Sequence, residues 1–337
     1  MLQGHQTWVF KQQPVILSAA AVGGPFEAAG PLAEDFDQLY DDLWLGQDSY
    51  EKAEKMLLEE ACSTAITKAG LEKSDVQFFL SGDLMNQTIS SSFTARTLAV
   101  PFFGLFGACS TSMEGLSLGA LIIDSRAADY VLCGTSSHNA TAEKQYRYPT
   151  EYGSQKPPTA QWTVTGAGAA LLGREGEGPR VIAATIGRVV DMGLSDPFNM
   201  GGAMAPAAVD TLTAHFRDLK LDPREYDLIA TGDLGRVGFK IAGDLLKKHG
   251  LQLPAENFTD CGLLIYSEQQ PVFAGGSGCG CSATVTYGHI LNRMKKGELK
   301  KVLVVATGAL MSPLSYQQKE SIPAIAHAVA LEYNTQG

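Results

Sequence analysis

Three stretches from the first half of this sequence return in the second half, in the same order. "VQFFLSGDLMNQT" (76–88) is echoed by "YDLIATGDLGRVG" (226–238), with Gly-Asp-Leu in the same place in each. "PFFGLFGACSTSMEGLSLG" (101–119) is echoed by "PVFAGGSGCGCSATVTYG" (271–288), and "DYVLCGTSSHN" (129–139) by "KVLVVATGALMS" (301–312). Apolar strands ending in glycine turns look alike by chance, but three matches in one order, roughly 150–174 residues apart, point to an internal duplication. The chain is read as one domain, 1–337, with pseudo-repeat halves of about 1–175 and 176–337.

Within each half, strands alternate with helices. Residues 50–69 carry apolar positions at helical spacing, and Gly70 stops them. Strands are expected at 75–84, 101–108, 128–136 and 163–173, and a helix after Cys109 with Met113, Leu116, Ala120 and Ile123 on one face. Such alternation predicts parallel pairing in an α/β layered fold. "GAGAA" (166–170) ends no strand with a helix behind it, so it reads as a tightly packed core strand, not a nucleotide loop.

Charge and cysteine usage narrow the function. A net charge of -10 argues against nucleic acid, whose phosphates need a basic footprint. At 45% hydrophobic and 18% charged, the chain has more apolar surface than one core needs, which suggests an oligomer. The run "TLAVPFFGLFGA" puts the expected homodimer contact at residues 96–108. Six scattered cysteines in so long a chain read as reduced thiols. No secretory signal or membrane span is apparent, so any membrane attachment is expected to be peripheral.

The elbow "FGACSTSMEG" (106–115), set in a duplicated α/β chain, resembles the thiolase and ketoacyl-synthase fold. That resemblance implies two duplicated halves packed as a five-layer αβαβα domain, usually dimeric. Further blocks narrow it: "QTWVF", "SGDL", "SSHNATAEKQYRYPTEYGSQKP", "SDPFNMGGAMAPAA", "TDCGLLIY" and "FAGGSGCGCSA" are similar to the stage V sporulation protein AD family, from residue 6 to about 330. The resemblance implies binding of dipicolinic acid (pyridine-2,6-dicarboxylate) or calcium dipicolinate. It also implies a role in uptake into the developing spore and release at germination, at the spore inner membrane with other SpoVA proteins.

A condensing enzyme needs a thiolate at a helix N-terminus and basic partners for its oxyanion. Cys109 has the helix start. The second-half loops that carry histidine in ketoacyl synthases read Thr231-Gly232-Asp233 and Gly276-Ser277-Gly278-Cys279 here, and Asp233 would oppose a thiolate. The expectation is a non-enzymatic binding protein without a cofactor; the alternative is an acyl-transfer or condensing enzyme using Cys109.

A ligand site is expected where the strand ends of both halves meet, built from Asp83, Cys109, Ser110, Thr111, His138, Asn139, Asp233 and Ser277. The elbow hydroxyls would hold a carboxylate, and Phe102, Phe103 and Phe106 would shape a slot for the ring. Asp83 and Asp233 read either as pocket or calcium ligands or as turn residues. His138 reads as a site residue or as a packed histidine bonded to backbone. Cys279-Gly280-Cys281 lacks two further soft metal ligands and reads as small residues for close backbone approach. Segment 139–159 is expected to be a long basic and aromatic loop over the site, with Lys144, Arg147 and Lys156. Asp83→Arg is expected to abolish binding with the fold retained.

Overall fold

The computed structural model describes residues 1–146 and 156–333. Ten strands form its frame. In the first half these are β1 (Val15–Gly23), β2 (Phe78–Gly82), β3 (Phe102–Gly104), β4 (Tyr130–Ser137) and β5 (Gly166–Gly173). In the second half they are β6 (Arg180–Thr185), β7 (Leu228–Thr231), β8 (Phe258–Asp260), β9 (Lys301–Ala309) and β10 (Ala324–Glu332). The spatial order is β3-β2-β4-β5-β1 followed by β6-β10-β9-β7-β8, so one half repeats the other through a pseudo-twofold. Within these ten strands the halves meet at Arg180 and Val15; residues 7–9 of the first half also pair with Ala183–Thr185 on β6, and Trp162–Thr163 with Gly276–Ser277.

The pairing is mixed rather than wholly parallel. β3, β2 and β4 run parallel, as do β8, β7 and β9. β5 and β1 are antiparallel to their neighbours, and so are β10 and β6. One echo is displaced: the sheet position matching β3 belongs to Phe258–Asp260, not to 271–275, because residues 261–278 intervene before the second elbow helix.

The helices follow from local signals. α1 (Tyr50–Lys68) starts where the Ser49 hydroxyl accepts from the Lys52 amide at 3.2 Å and ends before Gly70, whose φ is +69°. Its buried stripe of Ala53, Leu57, Leu58, Ala61 and Ala65 lies on β1, β4 and β5 beside α2 (Ile89–Leu98). The elbow helix α3 (Thr111–Asp124) presents Met113, Leu116, Ala120 and Ile123 to the space between the sheets. After α4 (Asn139–Tyr146), the second half contributes α5 (Met200–Leu219), α6 (Gly235–Lys248) and α7 (Cys279–Thr284). α5 lies on β9 and β10 with α6 beside it, while α7 packs beside α3 against β4 and β5. Helix, sheet, helix, sheet, helix makes five layers. The middle core dominates, and burying one of its leucines contributes about 2 kcal/mol.

Candidate functional site

The elbow sits at the middle of this stack. β3 stops at Gly104, Ala108 takes a left-handed φ of +48°, and a short 3-10 turn over Ala108–Ser110 leads into α3. A non-glycine residue held there is strained, so its surroundings must fix it. They do: the Ala108 carbonyl accepts from the Thr111 hydroxyl at 2.7 Å and from the Cys279 thiol at 2.9 Å. The Gly107 carbonyl accepts from the Ser110 amide at 3.0 Å and the Ser110 hydroxyl at 2.6 Å.

Those bonds overturn part of the expected site. Ser110 and Thr111 spend their hydroxyls inside the turn and offer none to a carboxylate. His138 is fully buried; its Nδ1 accepts from the Ala140 amide at 3.1 Å, which leaves Nε2–H to donate to the Leu43 carbonyl at 2.9 Å. It is a packed, neutral histidine, with burial pushing its pKa down. The Asn139 amide donates to Thr165 Oγ1 at 3.1 Å as α4 begins, and neither residue lines the cavity at Cys109. Segment 139–159 is helical over its first eight residues, while Arg147 and the rest of 147–155 lie outside the described residues.

The two matched aspartates have diverged. Asp83 accepts from the Met85 amide at 3.0 Å and the Ser91 amide at 2.8 Å, fixing the turn that opens α2. It has zero exposure, so an arginine there would break the fold; the expectation of a folded Asp83→Arg is withdrawn. Asp233 leaves the same duty in its half to Asp260, which receives the Thr231 hydroxyl and the Leu234 and Gly235 amides at 2.7, 2.9 and 3.0 Å. Asp233 instead accepts from Thr307 Oγ1 at 2.6 Å and from the Gly278 amide at 3.0 Å, and hydrogen-bonds the Cys109 thiol. With their oxygens so used, neither aspartate is available to a cation. Among the described residues, no group of three or more His, Cys, Asp or Glu is placed to hold a metal.

Cys109 is only 6% exposed. Burial pushes its thiol well above the usual range, and the Asp233 carboxylate and Cys279 push it further, against a weaker pull from the Gly278 amide. It is a thiol, not a thiolate. No histidine lines its cavity. His215 sits between Thr185 and Tyr226, His289 pairs with Asp35, His327 accepts from the Gly187 amide, and His5 and His249 are exposed. Cys279-Gly280-Cys281 is a close-packing device: a Cβ on Gly280 would lie 2.6 Å from the Gly166 carbonyl.

The cavity at Cys109 measures about 20 Å³, room for one water. Ser277 and Cys109 are the expected residues that line it. Thr163, Met200, Ala309 and Ala142 join them, with Leu84, Tyr146 and Met311 on the outer side. Beyond that outer wall lies a vestibule of about 410 Å³, bounded by the Leu84–Thr88 loop, Gly104–Phe106 and Met311–Pro313. Of the three phenylalanines, Phe106 alone reaches it. Phe102 packs on Phe79 at 5.7 Å and Phe103 on Phe78 at 5.6 Å.

A model of the family described as stage V sporulation protein AD matches residues 4–332. The chain belongs to that family. It is 51% identical over 331 residues to the stage V sporulation protein AD of Bacillus subtilis (strain 168), covering 98% of each chain. Solved structures with the same fold include a variant of OleA from Xanthomonas campestris, at TM-score 0.61 and 14% identity over 98% of this chain and all of that one. Another is 3-oxoacyl-[acyl-carrier-protein] synthase III from Aquifex aeolicus, at TM-score 0.59 and 14% identity over 95% of this chain and all of that one. The fold is thiolase-like, and the protein is a sporulation protein by family. Among the described residues no helix is long and apolar enough to cross a membrane.

The buried acids make stability depend on pH. Burial pushes Asp233, Glu27 and Glu114 up to about 7. Above pH 6.5 the unfolded carboxyls are already ionised, while these still hold protons in the fold. The native state therefore binds more protons, and stability falls as pH rises. The buried histidines, with His215 down to about 3 and His327 to about 4, oppose this only below about pH 6.5, where the unfolded imidazoles charge. A thermal melt at about pH 8 should come on the order of 5 °C below one at about pH 6.5. Equal melting temperatures would mean those acids are ionised in the fold.

Proposed function

We propose that this chain is a non-enzymatic binding protein for dipicolinic acid, free or as its calcium chelate. In this reading it acts in uptake into the developing spore and release at germination, from the periphery of the spore inner membrane with other SpoVA proteins. One observation carries the non-enzymatic part: the elbow keeps its thiol, but Asp233 rather than a histidine meets it, and burial with that acid keeps it protonated. A site of this kind holds a ligand without attacking it. The ligand's identity rests on the family resemblance. The vestibule supports it with a volume suited to a flat ring and apolar walls from Leu105, Phe106 and Met311.

The proposed homodimer pairs copies through β3. Among the described residues its outer edge meets no strand, and Phe103, Phe106 and Phe93 stand 50%, 48% and 41% exposed beside it.

Calorimetric titration of dipicolinate, with and without calcium, tests the binding, and light scattering on the same sample tests the dimer. Asn86→Glu, which adds a carboxylate to the vestibule loop, should weaken binding about tenfold by repelling the dianion. Lys247→Ala and Lys295→Ala, at exposed positions, should leave it unchanged. Acyl transfer from an acyl thioester that vanishes in Cys109→Ala would favour the condensing-enzyme reading instead.

A further inference from the structure

The cavity at Cys109 and the vestibule share three wall residues, Leu84, Tyr146 and Met311. Nothing larger than water fits inside that wall, and a small organic molecule fits outside it. The last two described residues of α4 fasten the wall. Tyr146 Oη and Gln145 Nε2 both donate to the Leu84 carbonyl, the second at 2.7 Å, and Gln145 Oε1 accepts from the Asn86 amide at 3.1 Å.

What they fasten is a strained loop. Gln87 and Thr88 follow one another with φ of +54° and +49°, both in the left-handed region that non-glycine residues avoid. The other side of α4 is anchored elsewhere: Thr141 Oγ1 donates to Glu54 at 2.6 Å and Lys144 pairs with Glu51 at 2.7 Å, both on α1. One end of the wall is rigidly held, and the other is a latch of three hydrogen bonds across a loop stored in an unfavourable conformation.

We propose that Tyr146 is a gate between the vestibule and Cys109. Releasing the Leu84–Asn86 loop merges the two spaces into one chamber with Cys109, Thr163 and Ser277 at its base. The inference rests on the binding reading for its purpose: among the described residues, this wall stands between a ligand in the vestibule and the thiol. Its geometry stands without any ligand.

The test uses the thiol as reporter and no dipicolinate, so failure of the ligand assignment cannot masquerade as failure of the gate. Folded protein is treated with iodoacetamide at one fixed alkaline pH, and each cysteine is followed by mass spectrometry. Tyr146→Phe deletes one latch bond and should speed Cys109 labelling about fivefold, as expected for one lost hydrogen bond. Tyr146→Ala removes the ring and should speed it more than tenfold. Cys62 and Cys133, buried away from the gate, should label at the parent rate. Unchanged labelling of Cys109 in the folded Tyr146→Phe protein overturns the proposal, as does a rise that Cys62 and Cys133 share. If the alanine variant does not fold, the phenylalanine variant decides alone.

Discussion

Asp260→Ala should destabilise the protein by about 5 kcal/mol, more than any other single side-chain truncation near the site. Asp260 closes β8 with zero exposure and gathers three donors: the Thr231 hydroxyl and the Leu234 and Gly235 amides. An alanine leaves those donors buried and unpaired at the start of α6, at roughly 1–3 kcal/mol each. Since a whole domain is held by only about 5–15 kcal/mol, this change threatens folding outright. Urea denaturation followed by circular dichroism measures it. A midpoint within experimental error of the parent's would show that water enters and satisfies the donors. Asp260→Asn, which keeps acceptor oxygen on the same frame, should cost much less.

Gly308→Val is expected to dislodge the elbow. Gly308 lies on β9, where the second sheet touches the turn before Cys109, and a Cβ there would fall 2.1 Å from the Gly107 carbonyl and 3.0 Å from the Ser110 amide. Both neighbours are backbone, so no flexible side chain can yield. The Gly107 carbonyl is also the acceptor that holds the turn together. Overpacking of this kind usually costs about 1–3 kcal/mol; with a rigid neighbour we expect at least about 3 kcal/mol. The readout is a lowered melting temperature together with faster alkylation of Cys109. A variant that melts with the parent and keeps its thiol protected would mean that β9 and the elbow are not in contact.

The sequence shows clearly those parts of the fold in which one strand is buried on both faces and ends in a glycine turn. Phe78–Gly82 and Leu228–Thr231 announce themselves that way, Tyr130–Ser137 and Lys301–Ala309 by an apolar run with a glycine near its end, and their echo gives the duplication. β8 does not, because it is three residues long inside "NFTDCG" and is separated from its elbow helix by residues 261–278. The apolar "PVFAGG" is the better-looking strand and the wrong one. The site shows a sharper limit. Asp83 and Asp233 occupy equivalent positions, and what separates them is the presence of Asp260 on the neighbouring strand, a tertiary fact that no local pattern carries. Ser110, Thr111 and His138 are chemically suited to bind an anion, yet each finds a nearer backbone partner. Segment 139–159 reads as aromatic, but the part played by Tyr146 depends on α4 delivering it to the Leu84 carbonyl, some sixty residues away.

The buried, protonated acids change how the molecule's charge should be counted. The formal value of -10 treats every carboxyl as ionised. Asp233, Glu27 and Glu114, with Asp260 pushed up to about 6, are partly or wholly neutral through the mildly acid range. In that range folding captures protons from the surrounding buffer on these acids, while His215 and His327 give theirs up, and unfolding reverses both. The same arithmetic reaches any anion that settles near Cys109. A negative ligand there raises the proton affinity of Asp233, so the ligand and a proton arrive as partners, each making room for the other.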